Sequence, residues 1–286
     1  MNASAFAHLR ASFFESLLDS VLTTDSNGIP SIADRNQKSS IAISQGIVRR
    51  LGEIQMATKV AGQISGNSFE TNCLEFIEKA FGLLSHLRPG NWGIERVTNP
   101  RSDGVARFEQ YAHLTALKRL AKVDADLAAS LGNDYAVLPD ILLFRWPEED
   151  ADINRHSPLV DESLARQTGL RRINNPLPLI HASVSCKWTL RSDRAQNARS
   201  EALHLIRNRK GGCPHILFVT AEPSPSRLSP LALGTGDIDC VYHVALPELI
   251  ESVREIDNDE ALAMLMMMVE GKRLKDLTDL PLDLAV

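Results

Sequence analysis

The sequence predicts an α/β protein: a mixed central sheet flanked by helices, behind a helical N-terminal part. Three observations carry that expectation. Apolar residues recur at helical spacing through roughly the first 130 residues. The period then gives way to four short apolar runs rich in β-branched residues. Helical patterns lie between and after those runs, as an α/β layer arrangement requires.

Taken in order, "MNASAFAHLRASFFESLLDSVL" lacks a basic leading region and carries Glu15 and Asp19, so it reads as an amphipathic helix rather than a leader peptide. After Asn67 the positions Cys73/Leu74, Ile77, Phe81 and Leu84 mark a second helix. A third runs from about Val105 to Leu131 and stops at Gly132. The strand candidates are Tyr135–Phe144, Pro178–Trp188, His215–Ala221 and Asp239–Ala245. A helix from roughly Asp193 to Lys210 is closed by Gly211 and Gly212. "PELIESVREI" opens a further helix with Pro247 in its first turn, and a Met-rich helix follows. With neither repeats nor a clear linker, residues 1–286 are expected to form a single domain. The polar segment 146–176 stands apart, because it separates two core strands yet holds few apolar residues. Connections of that length are usually functional or disordered, so it is expected to be an oligomerisation arm or, failing that, a loose excursion.

Composition narrows the class. A hydrophobic content of 44% and a charged content of 23% suit a soluble globular protein, and no apolar run is long enough to span a bilayer. The four cysteines are widely spaced without a CxxC pair, consistent with reduced thiols in the cytoplasm. A net charge of −5 argues against a protein that coats nucleic acid indiscriminately. The charge is uneven, however. Ala182–Lys210 holds seven basic residues against two acids, while the chain from Glu248 onward holds ten acids and four bases. A basic patch on an acidic protein suggests a local polyanion site, although a solvated face would look the same.

The residues that could act on a polyanion begin with Lys187, a cation at the end of the otherwise uncharged strand "SVSCKW". Asp140 follows Pro139 inside an apolar run, where a carboxylate is costly unless a cation or metal holds it; a Pro-Asp turn is the plain alternative. Glu201 shares a helix face with Arg194, Ala198 and Leu205, a face expected to lie on the sheet; a dipole-favoured, salt-bridged glutamate would fit as well. Glu70 lies on the stripe of Cys73/Leu74, Ile77 and Phe81, or else completes a capping box with Asn67. Together these residues suit magnesium, which takes oxygen ligands from one or two carboxylates and substrate phosphate. Metal-generated hydroxide and a lysine beside the scissile phosphate are what phosphodiester hydrolysis needs.

"PD" at Pro139–Asp140 with "SCK" at Ser185–Lys187 resembles the signature of the PD-(D/E)xK nucleases. Ser185 is a departure, since most members carry an acid two positions before the lysine. The subgroup of type II restriction endonucleases that read CCGG-centred sites has this swap, with the missing glutamate supplied by the next helix. "SCK", thirteen residues, then Glu201 is similar to that arrangement. The resemblance covers the whole chain and implies a restriction-endonuclease-like fold. It also implies a catalytic set of Glu70, Asp140, Ser185, Lys187 and Glu201, with metal at Asp140, Glu201 and Cys186. Two Mg2+ ions per active site, double-stranded DNA as partner, and a homo-oligomer built as a dimer of dimers are further implications, with no membrane association.

"RSDR" at Arg191–Arg194 holds base-reading chemistry of its own. Arginine pairs with guanine O6 and N7, and aspartate accepts from cytosine N4. Its place at a helix start suits entry into the major groove, although a capped helix with surface arginines is the bland alternative. The resemblance assigns Arg191, Asp193 and Arg194 to the central CCGG, Arg227 and Asp34 to the outer G·C pair, and Gln63 to the minor groove. The expected activity is magnesium-dependent cleavage of GCCGGC after the first G, leaving a four-base 5′ overhang. A repair or junction-resolving nuclease would share the catalytic residues but leave "RSDR" idle. A non-enzymatic DNA-binding protein would use the acids only as caps and salt bridges.

Overall fold

Among the described residues, six strands form one sheet whose spatial order, β1-β2-β3-β4-β5-β6, is also the chain order. They are β1 (Trp92–Arg96), β2 (Ile141–Arg145), β3 (Leu179–Lys187), β4 (His215–Thr220), β5 (Cys240–His243) and β6 (Leu274–Asp276). This computed structural model describes residues 3–52, 62–97, 104–124, 126, 139–234 and 236–286. β1 and β2 are antiparallel, with Ile94 opposite Leu143. β4 and β5 run parallel with Phe218 opposite Val241, and β5 and β6 run parallel with Tyr242 opposite Lys275. The helices are α1 (Ala5–Ser20), α2 (Lys38–Leu51), α3 (Gly62–Gly82), α4 (His113–Ala121), α5 (Asp150–Ile153), α6 (Ser192–Asn208), α7 (Pro225–Ala232), α8 (Leu246–Glu255), α9 (Asp259–Glu270) and α10 (Leu280–Asp283). A mixed α/β fold with a helical N-terminal part is thus borne out. Among the described residues no helix is long and apolar enough to cross a membrane.

The chain gathers into two compact units. One comprises the N-terminal residues through Leu87, Val184–Arg199 and Ile216–Val286; the other comprises Arg88–Ser183 and Ser200–His215. In the first, α1 packs on α3 through Phe13 and Phe76, whose ring centroids lie 5.5 Å apart in an edge-on arrangement. α2 lies against α8 so closely that a Cβ on Gly46 would meet Ser252 Oγ at 2.7 Å, which is why that helix carries a glycine at mid-length. In the second unit the Phe144 ring covers Gly93, where an added Cβ would lie 2.4 Å from it, and Phe108 packs on Phe144 at 5.2 Å.

Three local expectations need correction. α3 begins at Gly62, so Asn67 lies well inside it and its carbonyl accepts the Thr71 hydroxyl at 2.9 Å. The capping box with Glu70 therefore does not exist. The helix expected from Val105 begins only at His113, after two 3₁₀ turns at Gly104–Arg107 and Glu109–Tyr111. The competing interaction is with β3: the Gln110 amide bonds both the N–H and the C=O of Ile180, and Glu109 N–H donates to Pro178. The expected end of that helix, and the first part of the Tyr135–Phe144 strand, lie outside the described residues. Asp140 falls one residue before β2 and is half-buried, not encased within a strand. β1 and β6 had no sequence signal, one being a short strand with two charges and the other only three residues long.

Segment 146–176 is ordered, but by polar staples. Arg171 is 2% exposed and its guanidinium binds both Asp150 oxygens, at 2.8 and 2.6 Å. It also donates to the carbonyls of Asp161 and Leu164. The main chain closes around it, with Glu148 N–H on Leu170 O at 2.7 Å and Arg172 N–H on Glu148 O at 2.9 Å. Leu159, Leu164 and Ile173 remain exposed on its surface.

Candidate active site and nucleic-acid interface

β3 carries "SCK" at its C-terminal end, and the strand's two-residue period sorts those side chains. Ser185 and Lys187 share one face and are half-buried, whereas Cys186 points the other way into the core. The Cys186 thiol is thereby removed from the site, so the hard donor this residue offers is its main-chain carbonyl. Trp188, next after Lys187, packs against Phe69 with ring centroids 5.1 Å apart. The neighbours of Lys187 and Glu70 are therefore in contact, and Glu70 sits half-buried beside the α3 stripe of Phe69, Cys73 and Ile77.

Asp140 and Glu201 belong to the second unit. Asp140 is held at the mouth of β2, where its carbonyl accepts the Val97 N–H at 3.1 Å. Glu201 is half-buried on α6, flanking the buried stripe Ala198, Ala202 and Leu205; the Leu205 carbonyl accepts the buried Tyr111 hydroxyl at 3.0 Å. Among the described residues no three His, Cys, Asp or Glu side chains gather as a metal cage. The carboxylates of Asp140 and Glu201 and the carbonyl of Cys186 are oxygen donors, the type that magnesium takes.

The base-reading candidates form a second, better-defined cluster in the first unit. Arg191 and Asp193 are exposed at the start of α6, and Arg194 is half-buried, its Nη1 donating to Thr189 O at 3.3 Å. Arg227, in the first turn of α7, binds the Asp34 carboxylate through Nη2 and donates from Nη1 to Leu190 O at 3.1 Å. The N–H of Asn36, and then the charges of Arg227 and Arg191, hold the Asp34 carboxyl below the usual carboxylate range. Arg191, Arg227 and Asp34 are thus neighbours, although they stand far apart in sequence. Gln63 lies in the first turn of α3, and its side chain is outside the described residues.

Sequence reasoning passed over one residue at this cluster. Glu222 is fully buried after β4, accepting the Leu190 N–H at 2.7 Å on Oε2 and the Ser224 N–H at 3.1 Å on Oε1. Burial pushes its carboxyl above the ordinary value, against the pull of those N–H groups and of Arg227. Its carbonyl is 3.2 Å from His243 Nε2, and the Ala245 N–H donates to His243 Nδ1 at 3.1 Å. An imidazole accepting at Nδ1 carries its proton at Nε2, so His243 is neutral and donates to Glu222. Burial pushes the His243 imidazole down to about 4, in agreement. An acid directly after an apolar strand, in "FVTAEPSPSR", was the only sequence signal.

Comparison with known proteins gives the family. The model of the family described as NgoMIV restriction enzyme matches residues 13–286. The type II restriction enzyme NgoMIV of Neisseria gonorrhoeae is 51% identical over 98% of this chain and 99% of its own length. A solved complex of the restriction endonuclease PspGI with substrate DNA aligns with 98% of this chain and 92% of its own, at 14% identity and a TM-score of 0.35, a superposition too loose to argue from. Near-complete coverage by both the family model and a relative of this identity establishes that the chain belongs to the NgoMIV restriction enzyme family, the type II restriction endonucleases of which that enzyme is a member.

Proposed function

We propose that the chain cuts double-stranded DNA at GCCGGC, after the first G of each strand, with magnesium as cofactor. The observation that supports the specificity is the cluster of Arg191, Arg227 and Asp34, which brings guanine-reading donors together with a cytosine-reading acceptor. The Asp34–Arg227 pair has the donor and acceptor sense of an outer G·C pair. Arg191 and Asp193, exposed at the α6 start, have the chemistry of the central steps, and Arg194 adds a further guanidinium. Gln63 is assigned to the minor groove by likeness to the family.

For the chemistry, Asp140 and Glu201 would hold the metal, aided by the Cys186 carbonyl. Two ions would supply a hydroxide at neutral pH and charge neutralisation at the leaving oxygen. Lys187 places a cation on the strand end that meets the scissile phosphate, where it orients the attacking water and stabilises the added negative charge. Ser185 takes the position where related nucleases have an acid, and Glu201 replaces that acid from the helix. Glu70 assists from α3. A two-fold site calls for at least two copies, and a dimer of dimers is the assembly proposed, with the 146–176 arm meeting another protomer through Leu159, Val160 and Leu164, of which Leu159 and Leu164 are exposed.

Incubating plasmid of known sequence with the protein tests this reading. Discrete fragments with magnesium, and none with EDTA, are expected. Sequence-independent or branch-dependent cutting would favour a repair nuclease, and binding without cutting would leave a DNA-binding protein.

A further inference from the structure

We propose that Glu222 is a positioning residue for base reading, gripping with Arg227 the two backbone polar groups of Leu190 so that inner and outer readers are set as one piece. This rests on the base-reading assignment above. Leu190 is the residue immediately before Arg191. Its N–H donates to Glu222 Oε2 at 2.7 Å and its carbonyl accepts Arg227 Nη1 at 3.1 Å. The other Glu222 oxygen accepts the Ser224 N–H, at the start of the helix that carries Arg227. One carboxylate therefore ties the approach to α6 to the approach to α7, and Arg227 closes the loop by holding Leu190 on one side and Asp34 on the other.

The strut is itself fixed. Glu222 N–H donates to Thr220 Oγ1 at 3.1 Å, its carbonyl accepts from neutral His243, and the neighbouring Ala221 N–H donates to Trp188 O at 3.2 Å. Arg227 Nη1 lies 4.0 Å from Glu222 Oε2, close enough to favour the charged carboxylate. Stability alone does not explain this design. A buried carboxylate costs desolvation energy at neutral pH, yet a carboxylate accepts the Leu190 and Ser224 N–H groups on its two oxygens at once. Alignment does explain it, because readers of base edges must be held to within about half an ångström by groups that do not touch the DNA.

Glu222→Gln keeps the shape but replaces one acceptor with an amide that cannot accept from an N–H. The test measures dissociation constants in EDTA for four duplexes: GCCGGC, the same with one central pair changed, the same with one outer pair changed, and an unrelated sequence. Affinity for GCCGGC should fall by about tenfold or more, as expected for loss of a hydrogen bond to a charged group, with the unrelated duplex changed less than about twofold. Preference at both the central and the outer pair should shrink. Tyr242→Phe, which removes a hydroxyl bonded to Asp283 at 2.7 Å, is the comparison: it should lower the melting temperature and leave both preferences intact. If Glu222→Gln behaves like Tyr242→Phe, the residue only supports the fold and the proposal is overturned. Should Glu222→Gln not fold, Arg227→Ala decides, since it must erode central-pair preference as well as outer-pair preference; a loss confined to the outer pair overturns the coupling. A wild-type protein with no preference for GCCGGC would instead sink the base-reading assignment, and the strut with it.

Discussion

Arg171→Ala should unfasten the 146–176 arm without unfolding the protein. The guanidinium is almost fully enclosed, its side chain 3% exposed, while that of Asp150 is 35% exposed. Removing it leaves the carbonyls of Asp161 and Leu164 without their donor and Asp150 without its cation. Asp150, Asp161 and Leu164 can each recover water, so the loss is discounted for solvent, and a roughly tenfold rise in the opening equilibrium of the arm is expected. Native-state hydrogen exchange reads it directly at three amides: Glu148 on Leu170 O, Arg172 on Glu148 O and Asn174 on Arg171 O. These should exchange faster by that factor, while amides of β4 and β5 keep their protection. Unchanged exchange at the three amides would refute the idea that Arg171 holds the arm. Equal acceleration everywhere would mean that the arm is not a separate opening unit. Under the proposed assembly the variant should also sediment as a dimer.

Other expectations concern the site and its neighbours. Asp140→Ala should abolish cleavage and leave specific binding intact, because affinity comes from phosphate and base contacts; gel-shift and digestion side by side check it, and retained activity above a few per cent would remove Asp140 from the site. Ser185→Glu with Glu201→Ser should cleave better than Glu201→Ala alone, and no improvement in single-turnover rate would deny that Glu201 is the displaced ligand. His243 is neutral in the fold with its pKa pushed down to about 4, against 6.5 unfolded, so its contribution is complete above pH 6.5 and is lost as pH falls towards 4. Its share is about 3 kcal/mol at most. Burial raises the Glu222 carboxyl, an effect of opposite sign that favours the fold at lower pH. Urea unfolding at several pH values should therefore show a slope between pH 6.5 and 4.5 that His243→Gln changes, and an unaltered slope would contradict the assignment.

How much could be read from the sequence follows from the range of the forces involved. β3, β4 and β5 were legible because each is a buried strand whose apolar run is local. α6 was legible because its helical period is local and a glycine pair, Gly211 and Gly212, follows soon after its end at Asn208. The 3₁₀ turns before α4 were not, since the hydrogen bonds that displace the helix come from Ile180 and Pro178, far along the chain. The same holds for Glu222. Nothing in "TAEPSPS" says that its carboxylate will be met by Leu190, because that contact exists only when the chain ends leaving β3 and β4 come together. Lys187, Asp140 and Glu201 were singled out by residue type and spacing, whereas the pairing of Asp34 with Arg227 was implied only by resemblance to the family, and nothing in the local residues set it beside Arg191. The order of segment 146–176 also escaped local reading, because its stapling depends on one arginine meeting Asp150 across more than twenty residues of chain.

The central claim is that this chain reads and cuts one palindrome. Sequencing the ends produced from a DNA of known sequence, digested in magnesium, tests it most directly. Every end should derive from GCCGGC and carry a four-base CCGG 5′ overhang. Ends at other sequences, or uncut GCCGGC sites in DNA that the protein demonstrably cleaves, would contradict it.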